Sequence, residues 1–382
     1  CGGRTMSIWH ITGGSPLRGQ IRVQGSKNAV LPVIAASLLC GAEPPRPPEG
    51  CSASEIMHLA QRHSVAGMAY YAAEKLPISE PVASQWRQIR DKALVKDLTQ
   101  QMELESLCAA LSGAGIRFLP LKGCVIKGLY PQSDMRTMSD IDILIDEKNA
   151  AAARGVMEGL GYSCEHFGYD VHDIYYKPPV MNVEIHRSLF GEDGREFGAV
   201  FSDPWSMCTH DGMHYSFRPD EFFAYILAHA VKHLEEGGTG IRTIMDLWVC
   251  LHSDMKISAE RSFELLEPSG RADIARTMAE LAEVWFGGKA HSGETLRLEQ
   301  YIFGSGTYGT VENSALNRIE RSGKMGYFMR LIFPTFTHMK EHYPVLNRAP
   351  VLLPACWFAR LVTKPFVNRR SNMEKLRVLM KK

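Results

Sequence analysis

Leu119 to Asp146, LPLKGCVIKGLYPQSDMRTMSDIDILID, decides the fold together with Val183-Glu184-Ile185-His186 further along the chain. The first stretch reads as strand, Lys-Gly turn, short helix, loop, then a strand carrying Asp140 and Asp142. Side chains at i and i+2 of a strand share a face, so these two carboxylates project together. Ile141, Ile143 and Ile145 point the other way, into a core. Adjacent acids repel and lose hydration unless a cation lies between them. With no Cys or His expected in the cluster, the ion expected is a hard one, Mg²⁺ or Mn²⁺. In the later strand Val183 and Ile185 alternate with Asn182, Glu184 and His186, so pairing beside the first strand would make Glu184 a third carboxylate. Three such acids can hold two divalent ions for in-line phosphoryl displacement. A solvated strand edge also explains Asp-Ile-Asp taken alone; the Lys-Gly turn upstream and Glu184 downstream favour the metal.

Working outward, 382 residues suit about two domains and support a substantial core. The formal net charge of +1 gives no electrostatic case for nucleic acid as an obligatory partner. Nine scattered cysteines, with no C-x-x-C pair, read as reduced thiols, and a cytoplasmic location is expected. The sequence shows no signal peptide and no apolar run long enough to span a bilayer.

Leu121-Lys122-Gly123, Leu129-Tyr130-Pro131, Arg136, the Ser139–Ile145 run, Gly161-Tyr162 and Val183-Glu184-Ile185-His186 resemble an uncharacterised bacterial nucleotidyltransferase-like family of the polymerase-beta-like superfamily. The resemblance extends upstream through Leu59–Val65, and downstream through His229, His233, Gly240-Ile241-Arg242 and Asp246-Leu247 to Tyr343–Leu346, covering about 52–382. It implies transfer of a nucleoside monophosphate from an NTP, with ATP expected, to an unknown acceptor (a small molecule or a protein), with release of pyrophosphate. By that resemblance Asp140, Asp142 and Glu184 are the catalytic and metal-binding acids, while Lys122, Gly123 and Arg136 hold the phosphates. The superfamily's usual pair at the turn is Gly-Ser, so Lys122-Gly123 places a charge where a hydroxyl is common. Gly123 would let a triphosphate approach the backbone, and the following helix would aim its dipole at the anion. Arg136 reads as a bidentate phosphate clamp or as an ion-pair partner of Asp140 or Asp142. His186, His229, His233, Arg242 and Asp246 are secondary candidates; the histidines four apart suit zinc or plain packing in a helical bundle. A nucleotide-binding or toxin–antitoxin-like regulatory module without turnover is the alternative reading.

Residues 1–42 differ in character. Ile8–Ile11 and Gly19–Val23 read as two strands, and Ser26-Lys27-Asn28-Ala29 opens an apolar helix over Val30–Leu39. This resembles the amino terminus of UDP-N-acetylglucosamine 1-carboxyvinyltransferases, in which the pair corresponding to Lys27-Asn28 contributes to the substrate site. The likeness ends near Gly41, without the second jaw of the substrate cleft, so an inactive fragment is expected. The Pro-rich linker 43–52 reads as a fusion seam, and the start at Cys1, with Met6 as an alternative start, as a rearranged or fragmentary reading frame.

The expected division is therefore 1–42, a linker at 43–52, a helical lead-in at 53–115, a nucleotidyltransferase core at 116–190 and a helical region at 191–382. The expected fold class is α+β, a small mixed β-sheet of the minimal nucleotidyltransferase type flanked by helices. In the lead-in, Leu94, Leu98, Met102, Leu104, Leu107 and Leu111 are taken as one buried face, broken from the preceding helix at Pro77 and Pro81. Lys127 is expected to be solvated and His63 to be structural or exposed. Residues 349–382 read as a core-packed helix with a basic tail, with peripheral membrane contact as the lesser alternative.

Overall fold

The computed structural model describes residues 7–10, 20–23, 52–168, 171–179, 181–191 and 194–305, with parts of 323–363. Strands β1 (Ser7–His10) and β2 (Gln20–Val23) pair antiparallel as a sheet of their own. The expected helix over 30–39, the linker and the basic tail beyond 363 lie outside the described residues.

Helix α1 (Ala53–Arg62) starts at a capping box. The Ser52 hydroxyl accepts from the Glu55 backbone, and the Glu55 carboxylate accepts in turn from the Ser52 backbone. Ser64, at φ 56°, separates it from α2 (Ala66–Ala73), and Pro81 lies in the first turn of α3 (Glu80–Gly113). Along α3 the expected single apolar face divides in two. Leu107 and Leu111 are fully buried, whereas Leu94, Leu98 and Met102 are 37%, 53% and 71% exposed. At about 100° per residue, Met102 and Leu104 lie some 200° apart, so the two leucine series occupy opposite sides. Trp86, Asp97 and Gln100 share the buried side.

Strand β3 (Phe118–Pro120) leads through α4 (Gly123–Ile126) to β4 (Ile141–Ile145), then α5 (Ala150–Gly159) ends before Gly161 in the expected left-handed conformation. Strands β5 (Ser163–His166), β6 (His172–Lys177) and β7 (Met181–His186) follow. After α6 (Arg195–Gly198) comes a hairpin absent from the sequence expectation, β8 (Cys208–Asp211) and β9 (His214–Phe217). Its two-residue loop begins at Gly212, φ +57°, so Asp211-Gly212 was the legible signal. The strands form one seven-stranded mixed sheet, β5-β6-β7-β4-β3-β9-β8. Pairs β4–β7 and β3–β9 are parallel, the others antiparallel. With its flanking helices this is the expected α+β class.

One face of the sheet buries Ile141, Ile143, Ile145, Val183 and Ile185 against α5 and the end of α3. The other face, through Leu119, Leu121 and Leu144, meets α7 (Pro219–Glu236), α8 (Ile241–Leu251), α9 (Ala259–Leu266) and α10 (Ala272–Phe286). Helix α11 (Gly293–Ser305) packs on α10. Helix α12 (Leu353–Thr363) joins a small cluster through Cys356 and Trp357, yet leaves Phe358 70% exposed, so it is only partly core-packed. No helix among the described residues is long and apolar enough to cross a membrane.

Candidate functional site

The alternation of β4 and β7 fixes the site. Parallel register sets Asp142 beside Glu184 and Leu144 beside His186, so the isoleucines and valine go to one core and the acids to the face covered by α7. Asp140 lies one residue before β4, half-buried. Burial and repulsion from Asp142 and Glu184 push its carboxyl up to about 6.

Asp142 is buried and already paired. Lys122 Nζ donates to its Oδ1 at 2.7 Å, and His186 Nε2 lies 2.8 Å from the same oxygen. Burial opposes its ionisation, but the Lys122 ammonium and the His186 hydrogen bond outweigh burial and hold it well below the usual range. Conversely, burial works against the charged His186, and hydrogen bonds to Asp142 and Glu184 raise it nonetheless. Glu184 Oε2 lies 3.6 Å from His186 Nε2 and 3.6 Å from His172 Nε2. The donors of His172, Glu184 and His186 fall within 4.8 Å of one another, so histidine does join the cluster, contrary to expectation.

The Lys-Gly turn has a packing reason of its own. Lys122 sits at φ 46°, and a Cβ on Gly123 would meet Met138 Sδ at 2.6 Å and Arg136 Nη1 at 2.8 Å. A larger residue there would have to displace the side chains of Met138 and Arg136 in the loop before β4. Helix α4 has four residues, too few for much of a macrodipole toward an anion.

Arg136 pairs with neither strand acid. Its guanidinium donates two hydrogen bonds, 2.8 and 2.9 Å, to Asp246 on α8, and Tyr130 donates to the same carboxylate at 2.8 Å. This buried triad ties the 130–136 loop to α8 through Nε and Nη2, while Nη1 lies beside Gly123. Lys127, expected in solvent, is buried against Asp97 of α3. Arg242 donates to the Thr137 carbonyl at 3.2 Å.

Two further groups reach the site without having been singled out in the sequence. Tyr225 of α7 is fully buried, and its hydroxyl has no hydrogen-bond partner among the described residues. Burial raises the phenol, and the charges of Lys122, Asp142 and Glu184 act on it. Tyr225, His229 and His233 recur every four residues on one side of α7, so extending the histidine pair back one turn would have found it. His229 and His233 share a hydrogen bond at 3.2 Å, and burial, then Lys122, holds His229 well below its usual range. The second group is Lys96 of α3, half-buried, its ammonium held low by burial while Asp140, Lys127 and Arg242 act on it. His63 is buried rather than exposed.

Residues 50–287 match a family model described as "Uncharacterised nucleotidyltransferase". A UDP-N-acetylglucosamine 1-carboxyvinyltransferase 1 of Legionella pneumophila is 63% identical over 38 residues, 10% of this chain and 8% of that protein. The enzyme of the same name from Deinococcus deserti is 73% identical over 30 residues, 8% of this chain and 7% of its own. One from Xylella fastidiosa is 27% identical over 168 residues, 40% of this chain and 37% of its own, too long an alignment to be confined to residues 1–42. The chain thus spans well under half the length of these curated relatives. A solved structure titled for the antibiotic-resistance factor ANT(2'')-Ia aligns with a TM-score of 0.28 at 11% identity, covering 54% of this chain and 97% of that one.

Proposed function

Because this chain belongs to that nucleotidyltransferase family through residues 50–287, we propose that it moves a nucleoside monophosphate from an NTP, ATP by expectation, to a nucleophile on a small molecule or protein. The acceptor oxygen attacks the α-phosphorus and the bond to the β-phosphate oxygen breaks. Pyrophosphate leaves, and the acceptor proton passes to the carboxylate cluster. The observation that carries the reading is the parallel register setting Asp142 directly beside Glu184, with Asp140 at the mouth of the same strand.

A divalent ion fits this donor set. Asp140, Asp142 and Glu184 would hold it, and it would supply charge neutralisation for the phosphates and polarise the attacking oxygen. The raised carboxyl of Asp140 marks the crowding of negative charge by burial, Asp142 and Glu184 that a cation would relieve. Lys122 supplies a cation beside Asp142 for the phosphates, and Lys96 supplies a second positive charge within reach of Asp140. Gly123 keeps the turn close to the loop, and Arg136 works at one remove by fixing that loop against Asp246.

The decisive assay incubates the chain with Mg²⁺, each α-labelled NTP and a cell extract as acceptor source. Label transfer that falls by about 10²-fold or more in Asp142→Asn supports the reading. Binding without transfer supports a second one, a nucleotide-binding module without turnover. That reading is favoured by the occupation of Asp142 by both Lys122 and His186. Phosphate release from phosphoenolpyruvate with UDP-N-acetylglucosamine would instead restore the carboxyvinyltransferase.

A further inference from the structure

Strand β6 brings a second imidazole to Glu184. The antiparallel register pairs His172 with His186, and their rings stand 4.9 Å apart. Glu184 Oε2 lies 3.6 Å from Nε2 of each. With metal–ligand bonds of about 2.0–2.2 Å, a four-coordinate ion sets its ligands roughly 3.4 Å apart, which the two Glu184–imidazole separations already approach, all three donors lying within 4.8 Å of one another. The ligand chemistry then selects the ion. Mg²⁺ prefers an all-oxygen octahedral shell and gives up water reluctantly, whereas imidazole nitrogens draw the later transition-series ions. Two nitrogens and one carboxylate oxygen make a mixed donor set, and Asp142 Oδ1, 2.8 Å from His186 Nε2, lies beside it as that ring's hydrogen-bond partner. A separate observation points to a missing ligand here. The fully buried Tyr225 hydroxyl, on which the Lys122, Asp142 and Glu184 charges act, has no partner among the described residues.

We propose that His172, Glu184 and His186 form a binding site for a transition-series divalent cation of the Zn²⁺ class, adjoining the Asp140–Asp142 carboxylates and sharing Glu184 with them. This deepens the nucleotidyl-transfer reading and rests on it for the ion's purpose. The binding itself is measured without nucleotide.

The full chain, stripped with a chelator and desalted, is titrated with Co²⁺ by visible absorption, and then with Zn²⁺ in competition under millimolar Mg²⁺. Zn²⁺ is expected to bind on the order of 100-fold or more tighter than Mg²⁺. His172→Gln and Glu184→Gln should each weaken Co²⁺ and Zn²⁺ binding at least tenfold, with unchanged circular dichroism, while His229→Gln retains this site. The proposal is overturned if Zn²⁺ competes no better than Mg²⁺, if both site variants bind as the parent does, or if His229→Gln alone abolishes binding. Should one site variant fail to fold, the other decides. Zn²⁺ binding without label transfer would leave this site standing and remove the enzyme reading; transfer without Zn²⁺ binding would do the reverse.

Discussion

At the residue scale, charge is balanced by unusually specific pairings. Arg136 and Asp246 are both buried, and removing one partner leaves the other charged and dry. Asp246→Ala is expected to cost about 3–5 kcal/mol in urea denaturation, and Arg136→Lys also destabilises because an ammonium cannot make the two-pronged contact. His229 gives a pH prediction. Its folded pKa lies well below the unfolded value of roughly 6.5, so below that value the unfolded chain takes a proton the folded one refuses. Stability is therefore lost as pH falls from about 6.5, at up to about 1.4 kcal/mol per unit, and His229→Gln should flatten the loss between pH 6.5 and 5.5. His186, raised in the fold, acts with the opposite sign and above that window. Which residues carry charge was legible in the sequence. Which partner each one takes was not, since Arg136 and Asp246 meet only when α8 folds over the loop.

Elements were legible where a period of two or of 3.6 is unbroken. The β4 and β7 alternations gave the acid face directly, because one buried side leaves no freedom about the other. Helix α3 was harder: with leucines along both sides, composition alone does not say which side meets the sheet. Leu107→Ala should cost about 2–5 kcal/mol, while Leu98→Gln and Met102→Lys should stay within about 0.5 kcal/mol, by thermal or urea unfolding. At the turn, Gly123→Ala should destabilise by about 1–3 kcal/mol, because its methyl collides with Met138 and Arg136. Pairing it with Met138→Ala should recover part of that loss. The β8–β9 hairpin went unread because a single Asp-Gly among polar residues is a weak signal against a long helical stretch.

For the whole molecule, the family match begins at residue 50, and α1 carries its own cap at Ser52. Removing residues 1–51 is expected to shift Tm by no more than a few degrees and to leave nucleotide binding intact. A collapse of the unfolding transition would show that the first strands belong to the same body. The site could be foreseen only in part, because it draws on distant segments. Strands β4 and β7 were adjacent in the sequence reading, but Lys96, His172 and Tyr225 come from three other elements, and only the assembled sheet and helices bring them together.

The side-by-side setting of β4 and β7 has an evolutionary corollary. Sliding either strand by one position would thrust carboxylates among the isoleucines and turn oily side chains toward the face that carries the acids. Misassembly and dispersal of the acid cluster are thus one event, so selection for a stable sheet also guards the acids, and drift cannot scatter them by register while sparing the scaffold.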